Sequence, residues 1–271
     1  MTAAHLRTAS FVLLGGFAVA TAVRTHSDTT VAIMVASLLM FAGCWTSAAH
    51  LLGAKAARRF VVIAVALGWF AEQMGSGYGW FFGSYHYTEV LGLRVGNVPI
   101  VIPLMWFSLT YAGYVMANLI VWQAPVVPAG TMGWGATALL TWIGAMIVTA
   151  FDLGADPYLV YVLKAWVMEK KDGAWFGETM QGFVGWVCVS AAILAAFRRS
   201  VRHLPLAFAS PVLRRDAAVP LAMYGTGIAF QMVLGDPPET RAIAPFAMGI
   251  PLLCAIAGLL RWTPPAQGAT P

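Results

Sequence analysis

The sequence predicts an all-α, polytopic integral membrane protein with about eight transmembrane helices and a Gly/aromatic-rich loop after the third. Three observations predict it. Hydrophobic residues make up 60% of the 271-residue chain and charged residues only 10%, where soluble domains carry about 25%. Mean hydropathy is +0.76. The apolar residues fall in long runs, near the roughly 20 residues that a helix needs to cross about 30 Å of hydrocarbon.

The runs, in order, are 8–23, 30–52, 60–74, 98–122, 132–152, 179–197, 217–234 and 242–260. The first has Arg7 before it and Ala18-Val19-Ala20 near its end, which resembles a cleavable signal peptide; the later topology is the same either way. The third is short and continues into the aromatic segment. The stretch from Tyr158 to Met168 is too short to span and reads as an interfacial or re-entrant helix, with Pro157 at its first turn. VVPAG and LGDPPET read as turns between spans. Residues 1–262 form a single transmembrane domain, and 263–271 a flexible, Pro/Gly-rich tail. Cys44, Cys188 and Cys254 lie in apolar runs without metal or disulfide spacing and read as small core residues.

The net charge of +5 is mostly orientation. With cytoplasmic N- and C-termini, the inner side holds Arg7, Lys55, Arg58, Arg59, Arg198, Arg199, Arg202, Arg214, Arg215 and Arg261, as basic residues favour. Asp216 is the one acid there. The loops GAKAARR and 198–216 lie an even number of spans apart, so they share a side. The chain is thus placed in the cell membrane, multi-pass. The other side holds Asp28, Glu72, Glu89, Asp152, Asp156, Glu169, Asp172, Glu178, Asp236 and Glu239.

Several function classes drop out. The five histidines are scattered, so a clustered-histidine metal site is excluded and no metal ligand is assigned. No phosphate-cradling G-x-x-x-x-G-K-[ST] occurs, and GSGYG does not follow a strand of a βαβ unit. Basic residues flank spans without forming an aromatic-interleaved face, which argues against nucleic acid.

What remains is a set of carboxylates at the ends of apolar helices. Glu72 ends the third span, Asp152 and Asp156 in FDLGADPY end the fifth, and Glu178 and Gln181 in ETMQGFVGW open the sixth. Carboxylates there are costly and are functional candidates by default. The i, i+4 spacing puts Asp152 and Asp156 on one helix face. The bland alternatives are an N-cap for Asp156 ahead of Pro157, a structural role for Glu72 and Asp152, and pairing of one acid with Lys164. The stretch EQMGSGYGWFFGSYHYTEVLG, 72–92, adds five glycines and six aromatic residues. Trp106, Tyr111, Trp166, Trp175, Phe176 and Trp186 lie in or near the same side. The rings form either an interfacial belt or the wall of a cavity whose faces steady a cation. A protonated carboxyl beside aromatic walls suits protonation of an alkene and stabilisation of the carbocation; it equally suits a lipid-binding pocket.

These residues resemble a family. Glu72, Gly75, Gly79, Phe82, Gly83, Tyr85 and Tyr87, then Val98-Pro99, Ile102-Pro103-Leu104 and Trp106, match its first block. Asp152-Leu153, Asp156-Pro157, Trp166, Gly173, Trp175-Phe176-Gly177 and Gly185-Trp186 match its second. Together they run from Trp69 to Trp186 and are similar to the carotenoid biosynthesis membrane family, which includes the carotenoid 1',2'-hydratases and bisanhydrobacterioruberin hydratases. One departure stands out. Where the family pattern reads V-P-x-x-N-F-x-G-W before the sixth span, this chain has Gln181 one residue ahead of the Asn place and Gly182 in it. A divergent activity within the family is therefore an alternative.

The resemblance implies a hydro-lyase without cofactor. Water adds across the 1,2 (1',2') double bond of an acyclic, lycopene-like carotenoid end group. Protonation at C2 leaves a tertiary cation at C1, and water captures it. Of Glu72, Asp152 and Asp156, one is assigned as general acid and another as base. Trp80, Phe82, Tyr85, Tyr87 and Trp106 are assigned to the end-group pocket, with Tyr111, Trp166 and Trp186 among the candidate lining residues. His86, Glu178 and Gln181 are candidates to position water. Expected partners are the carotenoid, water, membrane lipid and other carotenoid-pathway enzymes. Two competing readings stay open: a non-catalytic carotenoid- or lipid-binding membrane protein, and a proton-coupled transporter, against which the absence of an evident inverted repeat argues.

Overall fold

The computed structural model describes residues 2–23, 29–126, 133–169, 173, 175–204 and 212–264. Among these residues, eight helical segments are long and apolar enough to cross a membrane. They are α1 (Ala3–Val23), α2 (Thr29–Leu52), α3 (Ala54–Tyr78), α4 (Val101–Trp122), α5 (Trp134–Pro157), α6 (Met180–Ser200), α7 (Arg214–Leu234) and a broken eighth span, α8 (Glu239–Ala247) with α9 (Gly249–Arg261). Pro251 has no N–H for the Ala247 carbonyl, and the eighth span is interrupted at Met248. Every expected span is present. Asp28, Asp172, most of VVPAG and residues 265–271 of the expected tail lie outside the described residues; LGDPPET is a turn as expected.

The third helix is longer than its apolar run. It takes in Lys55, Arg58 and Arg59 at one end and Gly75 and Gly77 at the other. Long basic stems bury their methylenes and deliver the charge to the interface, and the Arg59 guanidinium reaches the Ser200 carbonyl. Nearby, Arg7 donates to Asp216 Oδ1 at 2.9 Å and His50 lies 3.2 Å from Asp216 Oδ2. The basic ends of the chain therefore gather at one end of the bundle. Arg198 is the exception among them: it is buried, donates to Asn118 Oδ1 and lies over the Tyr114 ring.

At the opposite end, two connections are stitched together. The segment after α3 forms β1 (Tyr85–Tyr87), a hairpin of β2 (Arg94–Val95) and β3 (Val98–Pro99), and a 3-10 turn between them. β1 pairs antiparallel with β4 (Trp166–Met168), Tyr85 opposite Met168 and Tyr87 opposite Trp166. Glu169 N–H to Ser84 and Thr88 N–H to Ala165 extend the ladder on both sides. This pairing corrects the expected interfacial helix over Tyr158–Met168. Tyr158–Val162 is one π-helical turn continuing α5, and Trp166–Met168 is strand. The cause is local. Pro157 cannot donate to the Leu153 carbonyl four residues back, and the Trp175 indole N–H donates to it instead, at 2.9 Å.

The cysteine expectation also needs correcting. Cys44 is buried, but Cys188 and Cys254 are exposed. In a membrane span the outward face is apolar too, so an apolar run does not imply a core position.

Candidate active site

α4 is the most buried of the spans, and its Trp106 reaches back to α3. Gly68, Glu72 and Gly75 are spaced i, i+4, i+7 and share one face of α3. A Cβ on Gly68 would lie 2.8 Å from the Trp106 ring, and one on Gly75 would lie 2.9 Å from Phe82 and 3.0 Å from the Tyr85 hydroxyl. The two missing side chains let three rings close over the carboxyl between them. Trp106 Nε1 donates to Glu72 Oε1 at 2.8 Å; Tyr87 donates to Oε2 at 2.7 Å, and Tyr85 donates to the same oxygen. Tyr85 and Tyr87 meet at 5.4 Å, and Trp166 stands edge-on to Tyr87 at 6.0 Å. Burial first, and the charge of Glu72 after it, hold both tyrosine hydroxyls well above their usual value. They remain donors throughout the physiological range.

Glu72 lines a cavity of about 160 Å³. Asp152, Asp156 and Glu178 line it as well, with Phe82, Trp106, Trp166, Trp186, Phe17 of α1, Phe230 of α7 and apolar residues of α2 and α4. The Asp pair comes from the last turns of α5, as its spacing predicts. Asp156 is 5% exposed and its Oδ2 has no hydrogen-bond partner among the described residues. It lies inside α5, and the π turn after it has no side-chain cap, so the capping alternative is not what Asp156 does. Lys164 is exposed and pairs with none of these acids.

Glu178 stands one residue before the N-cap Thr179 of α6 and accepts from the Thr179 N–H. Its carboxyl occupies the space that a side chain on Gly182 would need. Burial pushes Glu178 up from 4.5 to about 7, against the opposing Thr179 hydrogen bond. The folded protein thus holds this proton to higher pH than the unfolded chain does. The stabilisation is fully present below pH 4.5 and is lost as the pH rises through about 7. Thermal melts in detergent across that window are expected to show wild type losing up to roughly 3 kcal/mol relative to Glu178→Gln. Parallel curves for the two proteins would remove Glu178 as the titrating group.

The structure does not bring every expected residue to this cavity. Tyr85 and Tyr87 are buried while His86 between them is exposed, as strand alternation requires. Trp80 is 54% exposed, in contact with Tyr78 and Phe81. Tyr111 is fully buried deeper in the bundle, bonded to Ser47. Gln181 is exposed and donates to the Gly79 carbonyl. One lining residue, Gln231 of α7, had not been anticipated; its signal was a lone carboxamide within an apolar span. Among the described residues, no three His, Cys, Asp or Glu side chains are grouped as metal ligands.

The family model described as carotenoid biosynthesis protein matches residues 9–256, well beyond the stretch from Trp69 to Trp186. No curated protein and no solved structure shows significant similarity to the chain.

Proposed function

We propose that this chain, which belongs to the carotenoid biosynthesis protein family, is a hydratase that adds water across the 1,2 double bond of an acyclic carotenoid end group. One observation carries the reading: a carboxylate held by two tyrosines and a tryptophan that lines one largely apolar cavity together with an aspartate pair. The step balances without a redox partner. A carboxyl proton adds to C2 with the π electron pair, leaving a tertiary cation at C1. Water oxygen bonds to C1, and its proton returns to a carboxylate. Asp152 and Asp156, one turn apart, divide the proton work, one giving and one receiving. Glu72, fixed by three donors in acceptor-only fashion, is the standing counter-charge for the cation. Trp106, Phe82, Tyr85 and Tyr87 offer ring faces to it.

A cavity of about 160 Å³ is below the roughly 300–1,000 Å³ of sites that enclose a whole ligand. It fits an end group, with the polyene continuing into the bilayer. The gathering of basic residues at the far end supports cytoplasmic termini by the positive-inside rule. The test is expression in lycopene-accumulating bacteria. The expected pigment is more polar, heavier by one water or two, with its polyene absorption unchanged. Lycopene and other acyclic carotenoids all returned unaltered from membranes containing the protein would leave a carotenoid-binding role instead.

A further inference from the structure

Among the described residues, three polar atoms at the cavity have no hydrogen-bond partner. They are Asp156 Oδ2 on α5, Gln231 Oε1 on α7 and Thr21 Oγ1 on α1. All three residues line the same cavity and are at least nine-tenths buried, Gln231 at 3% exposed. Buried polar atoms are nearly always bonded to protein or ordered water, and polar, roomy cavities hold such water. Gln231 is brought here by packing. Gly227, one turn earlier, lets Phe151 of α5 lie against α7, and Phe230 meets Tyr158 edge-on at 5.3 Å. The Gln231 Cγ lies 3.8 Å from where a Cβ on Gly154 would be. Gln231 thus packs against the last turns of α5, and it and Asp156 line the same cavity.

We propose that Gln231 is a positioning residue that, with Asp156, holds the water that captures the cation. This rests on the hydratase reading. A water donating one O–H to Gln231 Oε1 and the other to Asp156 Oδ2 turns its lone pairs toward the cavity. On bonding to C1 it loses the proton already directed at Asp156, which leaves Asp152 as the donor to C2. Gln231 itself exchanges no proton.

The cation has two fates, capture by water to give the alcohol or loss of a proton back to the alkene. In heavy water the second fate leaves deuterium in recovered hydrocarbon, so the ratio of alcohol to exchanged hydrocarbon reports water placement alone. Gln231→Met keeps length without the acceptor. It is expected to lower that ratio about tenfold, the worth of one buried hydrogen bond, with exchange retained. Gln231→Glu, which keeps an acceptor, restores most of the ratio; it also supplies the readout if the Met variant does not accumulate, a ratio below a third of wild type then counting against the proposal. Equal loss of alcohol and exchange in Gln231→Met would show a merely structural role and overturn the inference. Wild-type membranes giving neither alcohol nor exchange would overturn the hydratase reading itself, a separate result.

Discussion

Glu72→Gln is expected to yield a folded protein whose hydration turnover falls by at least about a hundredfold. The substitution preserves shape. A carboxamide oxygen still accepts from the Trp106 indole, and the amide can donate to the Tyr85 and Tyr87 hydroxyls, which accept as readily as they give. What disappears is the negative charge. In a water-poor cavity a fixed charge opposite a developing cation acts at low dielectric, and losing one such group costs about a hundred- to a thousandfold in other enzymes. The melting temperature should change little, and substrate binding less than turnover, because the charge is needed only when the cation forms. Turnover within a few-fold of wild type would remove Glu72 from the mechanism. Loss of folded protein would instead make Glu72 a structural anchor for the loop.

Gly75→Ala and Gly77→Ala, two residues apart on α3, should act in opposite directions. Both replace glycine in a helix, a change that favours the helix by about 0.5–1 kcal/mol. At Gly77 the new methyl meets only the Asn97 amide nitrogen, at 3.7 Å, so that gain survives. At Gly75 it meets Phe82 at 2.9 Å and the Tyr85 hydroxyl at 3.0 Å. Overpacking of this kind costs about 1–3 kcal/mol. One of the two rings that must move, Tyr85, donates to Glu72, so Gly75→Ala should also lose activity. Melting and turnover of the purified pair test this together. Equal behaviour of the two variants would mean that the aromatic loop does not sit against α3 as described.

Composition and hydropathy were enough for the eight spans, because crossing hydrocarbon demands length and apolarity whatever the neighbours do. They were also enough for Glu72, Asp152, Asp156 and Glu178, since a carboxylate at the end of an apolar run stands out against its background. Helix faces were less legible. In a soluble helix the polar stripe marks the outside, but here lipid-facing and core-facing positions are both apolar, and Cys188 and Cys254 look like Cys44 until the bundle is assembled. The Tyr85-His86-Tyr87 triplet carried a usable signal, the alternation of a strand, but the partner that makes it a strand lies some 80 residues away.

The sequence by itself thus determined that this is a membrane-embedded bundle with acids and aromatic rings gathered at one end, because those properties follow from residue type and its distance from a span's end. Only the tertiary structure decided which of them share a cavity. It turned His86, Trp80 and Gln181 outward, sank Tyr111 beneath the site, and brought Gln231 in from a distant span. The physical reason is that the cavity is made by contacts between α1, α2, α3, α4, α5, α6 and α7 at once, and such contacts depend on where glycines such as Gly68, Gly75 and Gly227 let neighbours approach.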